Sequence, residues 1–198
     1  MVVPERETDL LVTNAQAGNS EDFAMLVQLY ERKIYGYLSG LLGDRDEALD
    51  LAQQVFIKAW LKLKTLNDVS RFQTWLYAIA RNAVYDYWRA RKETCQSWEH
   101  LEINNICAEL PGPEEWTVEA DLVRLTLAEL SPKARQCLLL RVIGGFSHQE
   151  IADIVGLGET SVGTYISTAR RQFRVAYSHL QNETLEQESE PAYVCIKA

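Results

Sequence analysis

A chain of 198 residues, 47% hydrophobic and 24% charged, has the composition of a folded protein with room for one large or two small domains. It has no apolar run near the roughly 20 residues of a membrane span, and Met1 to Asp9 lacks the pattern of an export signal, so no direct membrane insertion is expected and the chain is placed in the cytoplasm. The net charge of −8 would disfavour nucleic acid if spread evenly, but residues 1–92 are net 0, 93–120 net −7, 121–181 net +2 and 182–198 net −3, which leaves both patterned regions free to carry basic patches.

Four helices are expected in the first 92 residues. A short one from Asp9 to Ala17 stops at Gly18. Ser20 is expected to cap a second, whose inward face runs Phe23, Leu26, Val27, Tyr30, Ile34, Tyr37, Leu38, Leu41 and Leu42 until Gly43. Asp44 and Glu47 have capping-box spacing for a third, with Ala48, Leu49, Ala52, Val55, Phe56, Ala59 and Trp60 turned inward. The fourth spans Ser70 to Lys92 with Ser70 as N-cap and a core stripe of Phe72, Trp75, Leu76, Ile79, Ala83 and Tyr87. Its opposite face repeats Tyr77, Arg81, Tyr85 and Arg89 every four residues, beside Asn82, Trp88, Arg91 and Lys92. Exposed rings alternating with guanidinium groups can stack unpaired bases and neutralise phosphates. The alternative is an amphipathic helix with a solvated face.

From Glu93 to Glu119 periodicity fades, Pro111-Gly112-Pro113 breaks any helix, and neither Lys nor Arg occurs, as expected of a flexible acidic linker. Helical patterning returns at Leu122 to Leu130. Ser131-Pro132 opens another helix, which runs to Val142 and stops at Gly144-Gly145. Ser147 to Glu150 is a capping box for a short helix ending at Gly156, and after Leu157-Gly158-Glu159 a longer helix turns Val162, Ile166, Ala169, Phe173, Ala176 and Leu180 inward. Short helix, glycine turn and long helix make a helix-turn-helix. Its early outward residues Thr160, Ser161, Thr164, Tyr165 and Thr168 would reach base edges, and Arg170, Arg171 and Arg174 phosphates. His148 and Gln149 stand at the amino end of the preceding helix, where a phosphate can be held. Residues 182–198 form an acidic tail.

The expected fold is all-α: two small helical domains, residues 1–92 and 120–181, joined by a linker over 93–119. Cys95, Cys107, Cys137 and Cys195 are too scattered for a zinc site or a disulfide framework. With no nucleophile and base pair, phosphate loop or metal cluster, no catalytic residue, cofactor or metal is expected, and the chain is not read as an enzyme.

Three motifs, Asp50-Leu-Ala-Gln-Gln-Val-Phe-Ile-Lys-Ala-Trp60, Phe72-Gln-Thr-Trp-Leu-Tyr-Ala-Ile-Ala-Arg-Asn82 and Ser147-His-Gln-Glu-Ile-Ala152, stand in an order that resembles bacterial RNA polymerase sigma factors of the extracytoplasmic-function (ECF) group. The resemblance covers about residues 8 to 181 and implies sigma domains 2 and 4 without the domain between them. It implies that Asp50, Gln53, Gln54, Ile57 and Lys58 meet the β′ clamp of core RNA polymerase, with Gln54 where the family commonly carries Glu. It further implies that Thr74, Tyr77, Arg81, Asn82, Tyr85, Asp86, Arg89 and Lys92 handle the minus 10 element, Asn82 discriminating an unpaired base. Ala78 and Ile79 stand where housekeeping sigma factors use two tryptophans, which implies weak melting power.

By the same resemblance the helix-turn-helix docks on the β flap and reads the minus 35 element through His148, Gln149, Thr160, Ser161, Thr164, Tyr165, Thr168 and Arg171. Gly163, Tyr165 and Thr168 replace arginines frequent in the family. An anti-sigma factor is the further partner implied. The competing reading is a stand-alone helix-turn-helix regulator whose N-terminal bundle senses or dimerises.

Overall fold

The computed structural model describes residues 5–94 and 118–189. Four helices build the first domain: α1 (Glu5–Gln16), α2 (Ser20–Leu42), α3 (Arg45–Lys62) and α4 (Phe72–Thr94). Their apolar stripes meet in one core, in which Leu26, Ile34, Leu38, Val55, Phe72 and Leu76 are fully buried or nearly so. Each such side chain contributes about 1.5–3 kcal/mol by leaving water. Tyr30 meets Phe72 edge-on at 5.6 Å within the core, and at the rim Phe23 tilts on the partly exposed Trp60 at 4.8 Å.

The caps are local chemistry. Asn19, not Ser20, caps α2 by accepting the N–H groups of Glu21 and Asp22. Its amide oxygen reaches those groups, and Ser20 becomes the first helical residue. Asp44 accepts the Glu47 N–H at 3.1 Å to start α3. Asp68 takes the cap expected of Ser70: it accepts both the N–H and the hydroxyl of Ser70, setting a 3-10 turn over Val69–Arg71 that feeds α4 at Phe72.

The second domain holds α5 (Val118–Ala128), α6 (Pro132–Leu139), α7 (His148–Val155) and α8 (Glu159–Ser189). Proline begins α6, which widens into a π turn over Leu140–Gly144 and closes on Gly145, whose φ of 74° is left-handed. The capping box at Ser147 and Glu150 is complete in both directions, and Gly156, again left-handed at φ 73°, ends α7. The helix expected to fade near Leu180 continues to Ser189. Most of the expected linker and the end of the acidic tail, residues 95–117 and 190–198, lie outside the described residues.

Two inward expectations on α3 are corrected. Leu49 and Trp60 are exposed, because the buried stripe of that helix is narrower than its apolar one. The two domains also touch: α6 and the π turn lie against α2, and α7 lies against α4.

Candidate nucleic-acid interface

Residues four apart on α4 stand one above the next, and of the expected four-residue ladder the Arg81–Tyr85 step forms, while Tyr77 is buried and Arg89 turns to Asp86. The Arg81 guanidinium lies 5.7 Å from the Tyr85 ring centre, and Tyr85 meets Trp88 edge-on at 6.1 Å. Tyr85 is 41% exposed, so its ring has a free face. Asn82, Asp86 and Arg89 are exposed, with Asp86 and Arg89 paired at 3.2 Å. The Asn82 side-chain oxygen accepts from Arg81 at 2.9 Å, which orients the amide. Thr74 is half-buried at the start of the helix, and Lys92 belongs to its last turns.

Tyr77 departs from the exposed placement expected of it. Its ring is fully buried, 5.2 Å from Tyr37 and edge-on to Phe146 of the second domain at 4.9 Å. Burial pushes its phenol well above the ordinary range, and its hydroxyl finds no hydrogen-bond partner among the described residues. Tyr37 of α2 and Phe146 of the second domain enclose the ring between them. Arg81 feels the same neighbour and donates to the Ile154 carbonyl at the end of α7.

The helix-turn-helix presents a separate face. Thr160, Ser161, Thr164 and Arg171 are exposed, whereas Tyr165 and Thr168 are half-buried. His148 and Gln149 are exposed at the first turn of α7. A Cβ at Gly163 would lie 3.8 Å from the His148 ring, an ordinary van der Waals distance, so this position does not require glycine for space. Thr164 donates to the Thr160 carbonyl at 3.2 Å.

A third surface lies on α3. Asp50, Gln53 and Gln54 are exposed, Lys58 is half-buried, and Ile57 is 60% exposed. Beside them Leu49, Trp60 and Leu61 are also exposed, Leu61 at 75%, and a groove of about 500 Å³ runs between Val27, Tyr35, Phe56 and Ile57. A ridge of apolar side chains in water marks a protein-binding surface. The expected set omitted Leu49, Trp60 and Leu61, and the available signal was that α3 carries more apolar residues than one stripe can bury.

Residues 26–94 match the family model Sigma-70 region 2, and residues 120–173 match Sigma-70, region 4. The ECF RNA polymerase sigma-E factor of Escherichia coli (strain K12) is 30% identical over 177 residues, covering 84% of this chain and 92% of that protein. The chain belongs to the ECF sigma factor family. The RNA polymerase sigma-H factor of Pseudomonas aeruginosa is 29% identical over 192 residues, spanning 92% of this chain and all of that protein. The fold is that of the sigma factor RpoE from Bartonella quintana, solved in complex with the anti-sigma factor NepR, at a TM-score of 0.68 and 23% identity over 80% of this chain and 98% of that one. As an ECF sigma factor the chain directs transcription, with region 4 as its DNA-binding helix-turn-helix. The family acts in transcription initiation and not as a catalyst. Among the described residues no helix is long and apolar enough to cross a membrane.

Proposed function

We propose that this chain binds core RNA polymerase and directs initiation by reading two promoter elements in two physical states. The apolar ridge of α3, with Asp50, Gln53, Gln54, Ile57 and Lys58, faces the β′ clamp, and the second domain docks on the β flap. The start of α8 enters the major groove of the minus 35 element, where Thr160, Ser161 and Thr164 meet base edges. Tyr165 and Thr168 shape that surface, and His148, Gln149 and Arg171 hold phosphates. On α4, unpaired minus 10 bases stack on Tyr85, hydrogen-bond to Asn82 and pass their phosphates to Arg81, Arg89 and Lys92, with Thr74 and Asp86 completing the surface. Base stacking on an aromatic ring is worth about 1–3 kcal/mol per base, enough to hold a strand the duplex has released.

The single observation that carries this reading is the ladder of Arg81, Tyr85 and Trp88, with Asn82 beside it, in the same chain as a helix-turn-helix. A duplex-binding regulator has no use for it. An anti-sigma factor is part of the proposal, since the Bartonella quintana relative is bound by one. In the test, 2-aminopurine placed in the minus 10 element reports strand opening by polymerase loaded with this chain. The expected result is a fluorescence rise with the wild type that Tyr85→Ala and Asn82→Ala each reduce at least tenfold, as loss of about 1.4 kcal/mol or more demands. Equal opening by both variants would sink the reading.

A further inference from the structure

Beside α2 the apolar seam between the domains is not filled. A cavity of about 470 Å³ lies there, walled by Gly40, Val123, Leu127, Leu139, Ile143 and Phe173. Gly36 and Gly40 contribute to its α2 side without side chains: a Cβ at Gly40 would stand 2.9 Å from both Leu139 methyl groups, and one at Gly36 would stand 3.7 Å from Ile143 Cδ1. Val123, Ile143 and Phe173 pack on the core yet are only half-buried, which leaves apolar surface to this space. Val142, 68% exposed, stands at its mouth. Pockets that hold small ligands run from about 300 to 1,000 Å³, and an apolar cavity stays dry until an apolar group enters it.

The polar side chains of the cavity are few, and the charged ones are cations. Arg124 and Arg170 line it together with Ser39, and among the described residues no Asp or Glu does. Arg124 donates one Nη to the Gly43 carbonyl at 3.0 Å and turns the other to Asp121 at 3.5 Å, but its Nε is buried with no hydrogen-bond partner among the described residues. A buried N–H left unpaired costs stability until an acceptor reaches it. Arg170, expected near DNA phosphates, lines this cavity and has no acidic partner among the described residues. The planar fork of a guanidinium matches a carboxylate. Apolar walls disfavour an inorganic phosphate or a nucleotide, whose polar groups would find no partners along most of the cavity. A cationic ligand would meet like charge.

We propose that this cavity is a binding site for an amphipathic anion, an unbranched aliphatic carboxylate whose chain lies against Val123, Leu139, Ile143 and Phe173 and whose head group accepts from Arg124 and Arg170. None of these residues has a part in the proposed reading of the promoter or in the α3 ridge, so the site is a separate binding function of the same chain. It carries a chain-length signature. Each methylene moved from water into the cavity strengthens binding about fourfold, until the space is full.

The test titrates the full chain with decanoate, below its micelle concentration, beside octanoate and 1-decanol. Isothermal titration calorimetry reads binding, and the thermal midpoint with and without decanoate gives a second readout. Arg124→Met and Arg170→Met remove the cations and keep apolar stems, while Val123→Trp fills the cavity. Circular dichroism confirms that each variant folds; Val142→Trp, at the exposed mouth, serves if Val123→Trp does not. The expected result is one saturable site for decanoate and a raised midpoint. Octanoate should bind about 15-fold more weakly, as two methylenes demand. Decanol, and decanoate with each variant, should bind at least tenfold more weakly. Neither binding heat nor a rise in midpoint would overturn the site, as would uptake that does not saturate and is equal in all variants, the mark of surfactant adsorption. Decanol bound as tightly as decanoate would overturn the anionic class of the ligand.

Discussion

The Tyr77 hydroxyl sits at the centre of the molecule without a hydrogen-bond partner among the described residues. A buried unpaired hydroxyl costs stability, so Tyr77→Phe is expected to raise the free energy of unfolding by about 1 kcal/mol, whereas Tyr77→Ala leaves a cavity and costs about 3–5 kcal/mol. Chemical denaturation of the two variants checks both signs. Burial also pushes the Cys137 thiol from its ordinary value near 9 up to about 11, and it raises Tyr37 and Tyr77 well above their usual 10. These groups lose protons on unfolding before they do so in the native state, so the native state holds more protons and stability falls as pH rises from about 9 towards 11. The expected outcome is a denaturation midpoint that declines across this window and declines less in Cys137→Ala. A flat profile would show that these groups are not sequestered. The burial of Tyr77 was illegible in the sequence, because its position every fourth residue from Arg81 and Arg89 marks a polar face unless another domain covers it.

Helix ends marked by Gly18, Gly43, Gly156 and the Ser147 capping box were legible to within a residue or two, because these announce themselves by type and spacing, whereas the unmarked starts of α1 and α5 and the end of α8 at Ser189 were missed by four residues or more. The exact caps at Asn19 and Asp68 were less legible, because adjacent serines compete for the same role and only side-chain reach decides. The surplus of apolar residues on α3 became the exposed ridge of Leu49, Ile57, Trp60 and Leu61. A central apolar anchor at an interface is worth about 2 kcal/mol or more, a factor of about 30 in affinity. Ile57→Glu and Leu61→Glu are accordingly expected to weaken binding to core polymerase by at least that factor, measured by competition with a labelled sigma factor. Their thermal midpoints should stay within a degree or two of wild type, because neither side chain is buried. A fall in both affinity and midpoint would assign the ridge to folding.

Across the whole molecule, the division into two all-helical domains followed from the return of periodicity after an acidic, proline-broken stretch. The docking of one domain on the other did not, because it depends on pairs such as Arg135 with Leu41 and Arg81 with Ile154 that no local pattern connects. Nor did the sequence connect Gly36 and Gly40 of α2 with Ile143 and Leu139, which approach them. As a whole, the chain is proposed to be a promoter-specific initiation factor. Its most direct test is run-off transcription with purified core polymerase, this chain and a pool of randomised promoters, read by sequencing the transcripts. The expected result is transcripts that start at a fixed distance from a two-part motif and are lost with Asn82→Ala or Tyr85→Ala. No transcripts above core polymerase alone, together with tight duplex binding by the chain alone, would contradict it and favour a stand-alone regulator.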